Sequence, residues 1–349
     1  MATTVTSTTS SLPSRGAGLH MIVSIPALNE EDTVCEVIRA IPRTIPGVDV
    51  IDVIIIDDGC SDNTAKVACE AGAHVIRHAT TRGVGAAFQS ALRVAIEQGT
   101  DVLVTIDADG QFDPNDIPKL AAPILSGDAD FSTASRFVDP KLTPRMPWIK
   151  LWGNRQMSRL VSRLTRSRFY DVSCGMRCYG RRAMANLNPM GDFTYTQEVF
   201  LNLAFKRMRI VEVPIAVRGE RTSGESRVAN NLWRYGMNTT RIILRAYRDY
   251  QPLRFFGGLA LLLAVPAALL AGFLLIYYLR TGGFSPYKWT GFAAGTLAIL
   301  SLVFLHMGIL GDMLNRHRLY LEELLADGRM GRGRKKLPLN DLDEDSTDE

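Results

Sequence analysis

Two stretches without a single Asp, Glu, Lys or Arg, 255–279 and 289–311, constrain this chain more than any other feature. Each is long enough to cross about 30 Å of hydrocarbon at about 1.5 Å per residue. One ionised side chain at mid-membrane costs about 2.5 to 3.5 kcal/mol on insertion scales, so its absence twice in succession favours two membrane spans over a pair of buried core helices. The link at 280–288 carries the turn formers Thr281-Gly282-Gly283 and Ser285-Pro286, so the two runs are expected as a hairpin. Arg241, Arg245, Arg248 and Arg254 precede it, and Arg316, Arg318, Arg329, Arg332, Arg334, Lys335 and Lys336 follow. The positive-inside rule then puts both outer flanks and the large N-terminal part, with both termini, in the cytoplasm. His306, inside the second run, reads more simply as a neutral imidazole bonded across the hairpin than as a functional intramembrane group.

The rest of the chain bounds the function classes. With 349 residues and 22% charged residues, it has the composition of a globular protein. A net charge of +4 is too small to imply a nucleic-acid partner. The five cysteines, Cys35, Cys60, Cys69, Cys174 and Cys178, are odd in number and all precede the apolar runs, which disfavours a secreted disulfide framework. Cys174 and Cys178 lack a second Cys or His pair at zinc-site spacing and are expected as buried thiols. The Ser/Thr-rich start is expected as a flexible tail and the acidic 341–349 as solvated.

Between these ends the period of the pattern changes. Apolar, β-rich runs recur at 21–25, 53–56, 73–76 and 102–106 and more weakly at 129–132, separated by helix-like stretches beginning near Glu30, after Ser61-Asp62-Asn63-Thr64, and at 85–97. Continuous apolar strands alternating with helices predict an α/β domain with a mainly parallel sheet covered on both faces. Ligands of such sheets bind beyond the carboxyl ends of the strands.

Those ends carry the polar clusters: Pro26-Ala27-Leu28-Asn29-Glu30, then Asp57-Asp58-Gly59, then Asp107-Ala108-Asp109-Gly110-Gln111. Any one of them could be helix capping, and Asn29, Ser61 and Asn63 are equally well read as caps or turn residues. Three together repel one another and call for a cation or for donors. Paired carboxylates at a strand end suit a hard ion, Mg²⁺ or Mn²⁺, which reaches a protein through one or two carboxylates while substrate phosphates fill other positions. A nucleoside diphosphate is the expected companion. Gly83-Val84-Gly85 lacks the third glycine of a dinucleotide fingerprint and is read as turn chemistry, which disfavours a Rossmann oxidoreductase.

Taken in order, 26–30, Asp57-Asp58-Gly59-Cys60-Ser61-Asp62-Asn63-Thr64, Arg82-Gly83-Val84-Gly85-Ala86-Ala87, 107–111 and Ala134-Ser135-Arg136-Phe137 resemble glycosyltransferase family 2. Arg221-Thr222-Ser223-Gly224-Glu225-Ser226-Arg227 narrows the resemblance to polyprenyl-phosphate glycosyltransferases of the dolichyl-phosphate mannose synthase group, over roughly 19–228. The resemblance implies a GT-A fold (α/β, mainly parallel central sheet), followed by amphipathic interface helices and two transmembrane helices. The implied division is 1–18 flexible tail, 19–228 catalytic domain, 229–252 interface helices, 253–314 hairpin and 315–349 cytoplasmic tail. It also implies that Pro26, Asn29, Glu30 and Asp58, with Asp107, hold the sugar nucleotide, and that Asp107, Asp109 and Gln111 surround the metal and diphosphate. Arg136, Arg155, Arg221, Ser226 and Arg227 would engage phosphates. Arg227 stands where the family usually has lysine, exchanging a point charge for a forked donor. Thr81 stands where asparagine is common.

The chemistry this implies is transfer of a hexose from a nucleotide-diphosphate sugar to a polyprenyl (dolichyl or undecaprenyl) phosphate, metal-dependent and inverting. A monophosphate with its second pKa near 6 is largely a dianion at neutral pH, so no general base is required. The catalytic task is to bring anions together, and Asp109, Arg136, Arg155 and Glu198 are the expected catalytic set, with Glu198 an orienting carboxylate or a solvated helix residue. Arg159, Arg163, Arg166 and Arg168 read as a face for lipid phosphate or acidic headgroups, or as a solvated helix. A processive polysaccharide synthase is the competing enzyme, although Gln156-Met157-Ser158-Arg159-Leu160 lacks the tryptophan of its Gln-x-x-Arg-Trp motif. A non-enzymatic nucleotide-sugar-binding scaffold is a third reading, disfavoured by the intact acidic pair. The lipid bilayer is the expected partner in every case, and assembly as a homo-oligomer is left open.

Overall fold

Burial of the apolar runs organises the N-terminal part of the chain, as seen in a computed structural model that describes residues 18–144, 146–188, 196–218, 241, 244, 245 and 247–332. The first strand, β1 (His20–Ala27), is followed by α1 (Val34–Ala40), β2 (Val50–Asp57), α2 (Thr64–Glu70), β3 (His74–Arg77), α3 (Val84–Glu97) and β4 (Val102–Thr105). Then come α4 (Ile117–Leu125), β5 (Phe131–Ser135), α5 (Trp148–Thr165), β6 (Arg177–Gly180), α6 (Arg181–Asn186), α7 (Thr196–Phe205) and β7 (Ile210–Pro214). The strands form one seven-stranded sheet in the order β3-β2-β1-β4-β6-β5-β7. The pairs β1–β2, β1–β4, β2–β3 and β5–β7 are parallel, whereas β6 runs antiparallel to both β4 and β5. The sheet is therefore mainly parallel, as the continuous apolar runs predict.

Met21, Ile22, Val23, Ile25, Ile54, Ile55, Ile56, Leu103 and Val104 are at most 1% exposed. Strands this dry on both faces need helical cover on both sides, which is why they read as unbroken apolar runs rather than alternating ones. The weak fifth run lies later than its composition suggests, at Phe131–Ser135 instead of 129–132, because the strand recruits Thr133 and Ser135 into the ladder beside β7. The order reverses between β1 and β4: the chain leaves β1 toward β2 and β3, then returns to β1's other side. Such a switch point opens a crevice beyond the carboxyl ends of the strands.

Two long helices follow, α8 (Pro252–Thr281) and α9 (Lys288–Arg332). Both are long and apolar enough to cross a membrane, with mean hydropathy 2.7 and 2.0 over their most apolar stretches, of which only 11% is buried. A soluble core helix would be mostly covered, so the exposure favours a lipid-facing surface over the core-helix alternative. Helix α9 continues to Arg332, through the first part of the 315–349 segment, where four Leu, four Arg and two Glu between 315 and 332 favour helix. Two i,i+4 ion pairs, Asp312–Arg316 at 2.9 Å and Arg318–Glu322 at 3.5 Å, add to it. The chain divides into two compact units, 1–243 with 324–349, and 244–323. The last turns of α9 thus belong with the sheet domain, where Arg329 Nη1 donates to the carbonyls of Ala185 and Leu187 at 3.0 and 2.9 Å. Most of the expected interface-helix segment, 229–252, lies outside the described residues.

Candidate active site

The loops after β1 and β2 form a single shelf. Asn29 adopts a left-handed conformation, φ 55°, uncommon for a residue with a Cβ and often found where a site over-determines the backbone. Its Oδ1 accepts from the Ser61 amide at 2.8 Å, and the Glu30 amide donates to Thr64 Oγ1 at 2.9 Å. The Asn63 amide donates to Glu31 Oε2 at 2.9 Å. Asn29 is therefore a cross-loop brace rather than a helix cap, and Asn63 makes no side-chain capping bond either. The cap-like contacts belong to Asp62, whose Oδ1 accepts from both the amide and the hydroxyl of Thr64.

Repulsion among the acidic clusters is met unequally. Asp57 is fully buried, with Oδ1 2.6 Å from the Cys60 amide and Oδ2 3.2 Å from Arg77 Nε. Asp58, 4% exposed, accepts from the Arg82 amide at 2.9 Å and the Gly83 amide at 2.7 Å, and lies 2.8 Å from His78 Nδ1. His78 Nε2 is in turn 2.9 Å from Ser90 Oγ. Protein donors thus hold these two carboxylates, and Asp58 anchors the 82–83 turn ahead of α3. A carboxylate offers about four acceptor sites, so Asp58 keeps room for one further donor. Nothing in the sequence pattern pointed to His78, because its partners are distant in the chain.

Asp107 and Asp109 follow β4 at the switch point. Asp109 is 3% exposed, and its Oδ1 accepts from the Gln111 amide at 3.1 Å, closing the turn through Gly110 at φ 68°. Gly175 lies against the other member of the pair: a Cβ there would stand 2.5 Å from Asp107 Oδ2. The Arg218 amide donates to the Gln111 carbonyl at 3.0 Å, and Phe112 bridges to Val217, so the chain leading toward Arg221 departs from beside this turn. Arg221, Ser226 and Arg227 themselves lie outside the described residues. Among the described residues no group of three or more His, Cys, Asp or Glu is disposed to hold a metal. Two hard carboxylates at one strand end fit Mg²⁺ or Mn²⁺ only if substrate oxygens and water complete the shell, which is the usual habit of such ions.

The remaining site residues lie on neighbouring elements. Pro26 is within β1, opposite Ile56 of β2. Arg136, just after β5, is gripped by buried Asp171, with Nε at 2.6 Å and Nη2 at 2.8 Å from its two oxygens. Asp171 is placed by Glu212 of β7, which accepts from the Tyr170 and Asp171 amides at 2.9 and 2.7 Å. Burial raises the pKa of Glu212 above the usual carboxylate range despite those two bonds. Arg155 is exposed on α5 and Glu198 half-buried in the first turn of α7. Arg177 is fully buried, donating to the carbonyls of Val172, Cys174 and Thr196 and lying over the Phe131 and Phe200 rings. Burial pushes the thiols of Cys60, Cys174 and Cys178 up to about 12, so they remain protonated and inert.

Comparison with known proteins fits this arrangement. Residues 22–187 match the model of glycosyl transferase family 2. A UDP-N-acetylglucosamine–dolichyl-phosphate N-acetylglucosaminyltransferase of Methanococcus voltae is 30% identical over 55% of this chain and 82% of its own. An uncharacterised glycosyltransferase of Mycobacterium tuberculosis is 31% identical over 62% of this chain and 93% of its own. Among solved structures, glucosyl-3-phosphoglycerate synthase of Mycobacterium tuberculosis, in complex with Mn²⁺, UDP and phosphoglyceric acid, superposes with a TM-score of 0.53 at 23% identity, covering 66% of this chain and 79% of that one. The same enzyme with Mg²⁺ and UDP gives 0.52 at 22% identity, over 66% and 80% of the two chains. The sheet is that of the GT-A fold, and the chain belongs to glycosyl transferase family 2 as a glycosyltransferase.

Proposed function

We propose that this glycosyltransferase moves a hexose from a nucleotide-diphosphate sugar to the phosphate of a polyprenyl lipid, with inversion at the anomeric carbon. The observation that carries the reading is the union, in one chain, of a carboxylate pair at the switch point of the sheet with two exposed helices of membrane-spanning length. The Methanococcus voltae relative, whose name specifies a dolichyl-phosphate acceptor, supports it.

In this reading the shelf of Asn29, Glu30 and the Asp58-anchored turn, beside Pro26, receives the nucleoside, and Asp107, Asp109 and Gln111 hold Mg²⁺ or Mn²⁺ with the diphosphate. The bound cation would draw charge from the departing diphosphate. Asp58 contributes by fixing the turn at 82–83 rather than by reaching out freely. Arg136, oriented by Asp171, is pre-set as a donor toward a phosphate, and a guanidinium held in this way loses little freedom on binding. Arg155, Arg221, Ser226 and Arg227 would complete the basic surround, and Glu198 would orient the acceptor. The acceptor phosphate is already anionic and attacks without a general base. The solved neighbours are named for a soluble phosphorylated acid as acceptor, which makes that class the specific alternative.

The full chain, purified in detergent, would be supplied with labelled UDP- and GDP-sugars and with polyprenyl phosphate or 3-phosphoglycerate. Lipid-extractable label that disappears with EDTA or with Asp109→Ala is the expected result. Label appearing only on the soluble acid would overturn the lipid acceptor, and full transfer by Asp109→Ala in EDTA would overturn the metal assignment.

A further inference from the structure

Arg136 stands just past the carboxyl end of β5, and the order β4-β6-β5 sets it two strands from the Asp107–Asp109 turn, about 10 Å at the usual strand spacing. It therefore lies on the side of the crevice away from the Asn29–Asp58 shelf. Buried Asp171 accepts from the Arg136 amide at 3.2 Å, from Nε at 2.6 Å and from Nη2 at 2.8 Å, and also from the Ser173 amide at 3.2 Å. These donors fill the roughly four acceptor sites of a carboxylate, so Asp171 has no capacity left for a substrate. Its task is to hold Arg136. The Phe137 ring supports the same guanidinium from another direction, its centre 5.1 Å away.

What holds Asp171 comes from another strand. Glu212 of β7 takes the Tyr170 amide on Oε2 at 2.9 Å and the Asp171 amide on Oε1 at 2.7 Å, so successive N–H groups converge on one carboxylate. Strand β7 is itself registered on β5, with Glu212 opposite Thr133 and Pro214 opposite Ser135. The strand that leads into Arg136 and the strand that carries Glu212 are thus joined in one ladder. Helix α5 ties the preceding residues, since Ser158 Oγ donates to the Tyr170 carbonyl and the Phe169 amide to Ser162 Oγ, both at 2.9 Å. Beyond Asp171 the loop is pinned separately, because Arg177 donates to the carbonyls of Val172 and Cys174 at 3.1 and 2.8 Å. A shift at 170–171 is stopped there, short of Gly175 and the Asp107 carboxylate beside it.

We propose that Glu212 is a positioning residue for glycosyl transfer: by fixing the 170–171 backbone it sets, through Asp171, the direction in which the Arg136 guanidinium meets the acceptor's phosphate. The proposal rests on the reading of Arg136 as a phosphate donor and adds the residue that aims it. With the donor assigned to the shelf and the Asp107–Asp109 turn, the phosphate on Arg136's side of the crevice is the acceptor's. Glu212 acts at two removes and touches neither reacting group. A guanidinium aimed beforehand loses little freedom when the phosphate arrives.

The test gives the full chain in detergent labelled UDP- or GDP-sugar with either undecaprenyl phosphate or 3-phosphoglycerate, and reads KM separately for donor and acceptor. Glu212→Gln keeps one acceptor oxygen but turns an NH2 group toward the other amide, and Glu212→Ala removes both bonds. Acceptor KM should rise about tenfold for Glu212→Gln and further for Glu212→Ala, while donor KM stays within about twofold. In an Arg136→Ala background, whose own acceptor KM is raised, Glu212→Gln should add nothing, because both changes disable one device. An unchanged acceptor KM in Glu212→Gln would overturn the proposal. Equal rises in donor and acceptor KM, or a full further rise on top of Arg136→Ala, would mean general damage to the fold and would overturn it too. Should Glu212→Ala fail to fold, Glu212→Gln decides alone. An Arg136→Ala enzyme with wild-type acceptor KM would remove the phosphate role of Arg136, and the proposal falls with that reading. Transfer to 3-phosphoglycerate alone would sink only the lipid acceptor, the same comparison then being read on that acid; transfer to neither would sink both.

Discussion

A Cβ on Gly175 would lie 2.5 Å from Oδ2 of Asp107, closer than real Cβ atoms approach any neighbour. The Gly175 carbonyl accepts from Thr105 Oγ1 at 3.1 Å, so the backbone cannot retreat without breaking that bond. Gly175 is not among the residues with left-handed φ, and the three atoms nearest an added Cβ all belong to the Asp107 carboxylate, the far end of a side chain that can turn. Gly175→Ala should therefore push Asp107 aside with little effect on folding. Measured by Mn²⁺ titration with UDP present, affinity should fall at least about tenfold, equivalent to about 1.4 kcal/mol, while thermal unfolding stays nearly unchanged. Unaltered Mn²⁺ affinity would remove Asp107 from the metal site.

The Asp58–His78 pair supports a second expectation. A buried carboxylate that loses a charge-assisted partner bears a desolvation cost of about 1 to 3 kcal/mol. His78→Ala should destabilise the chain by that order in urea unfolding, and should loosen the 82–83 turn that Asp58 holds. His78→Asn retains a donor and should recover part of the loss. A His78→Ala protein of wild-type stability would mean that the three-membered Asp58–His78–Ser90 line is incidental.

What could be read from the sequence and what could not follow from the range of the interactions. The strands β1, β2 and β4 are visible because burial on both faces leaves a local record, an unbroken apolar run. The strand β6 leaves none: Arg177-Cys178-Tyr179-Gly180 reads as polar, and its arginine is tolerated in the core only because three distant carbonyls and two aromatic rings receive it. For the same reason the antiparallel insertion between β4 and β5 was invisible. The Asp107–Asp109 pair was legible as a spacing, and the shelf residues were found by position, but their partners were not. Asp58 is satisfied by a turn 24 and 25 residues away, and Arg136 by a carboxylate 35 residues away. Those links define which acidic groups are already neutralised by protein, which no linear motif records.

Glu212 gives a pH-dependent expectation. Burial holds its folded-state pKa above the usual value, outweighing the Tyr170 and Asp171 amides that favour the ionised form. Such a group contributes stability that is fully present below its unfolded pKa and is lost as pH rises through the folded value. Glu212→Gln cannot ionise and has no such loss. The stability of wild type relative to Glu212→Gln should thus decline as pH rises across that window and then level off, when unfolding is followed by denaturant at a series of pH values. A constant difference across the window would show that Glu212 titrates alike in the folded and unfolded chain.

Orientation of α8 and α9 supplies the last expectation. The basic residues cluster on the outer flanks, Arg241, Arg245 and Arg248 before α8 and Arg254 in its first turn, and Arg316, Arg318 and Arg329 after the apolar part of α9. Holding cations on the cytoplasmic side of a membrane is favoured during insertion, so both flanks, and with them the sheet domain, should lie there. The link between the helices, where Tyr277 donates to the Ser285 carbonyl at 2.7 Å, would then be the part exposed beyond the opposite face. A reporter cysteine is best placed against a quiet background. The buried thiols of Cys60, Cys174 and Cys178 are held protonated, and Cys69, which is exposed, can be replaced by serine together with Cys35. In intact cells an impermeant maleimide should then label Ser285→Cys, while Ser346→Cys should react only after permeabilisation. The reverse pattern would invert the hairpin, and equal labelling of both sites in intact cells would rule out a membrane barrier between them.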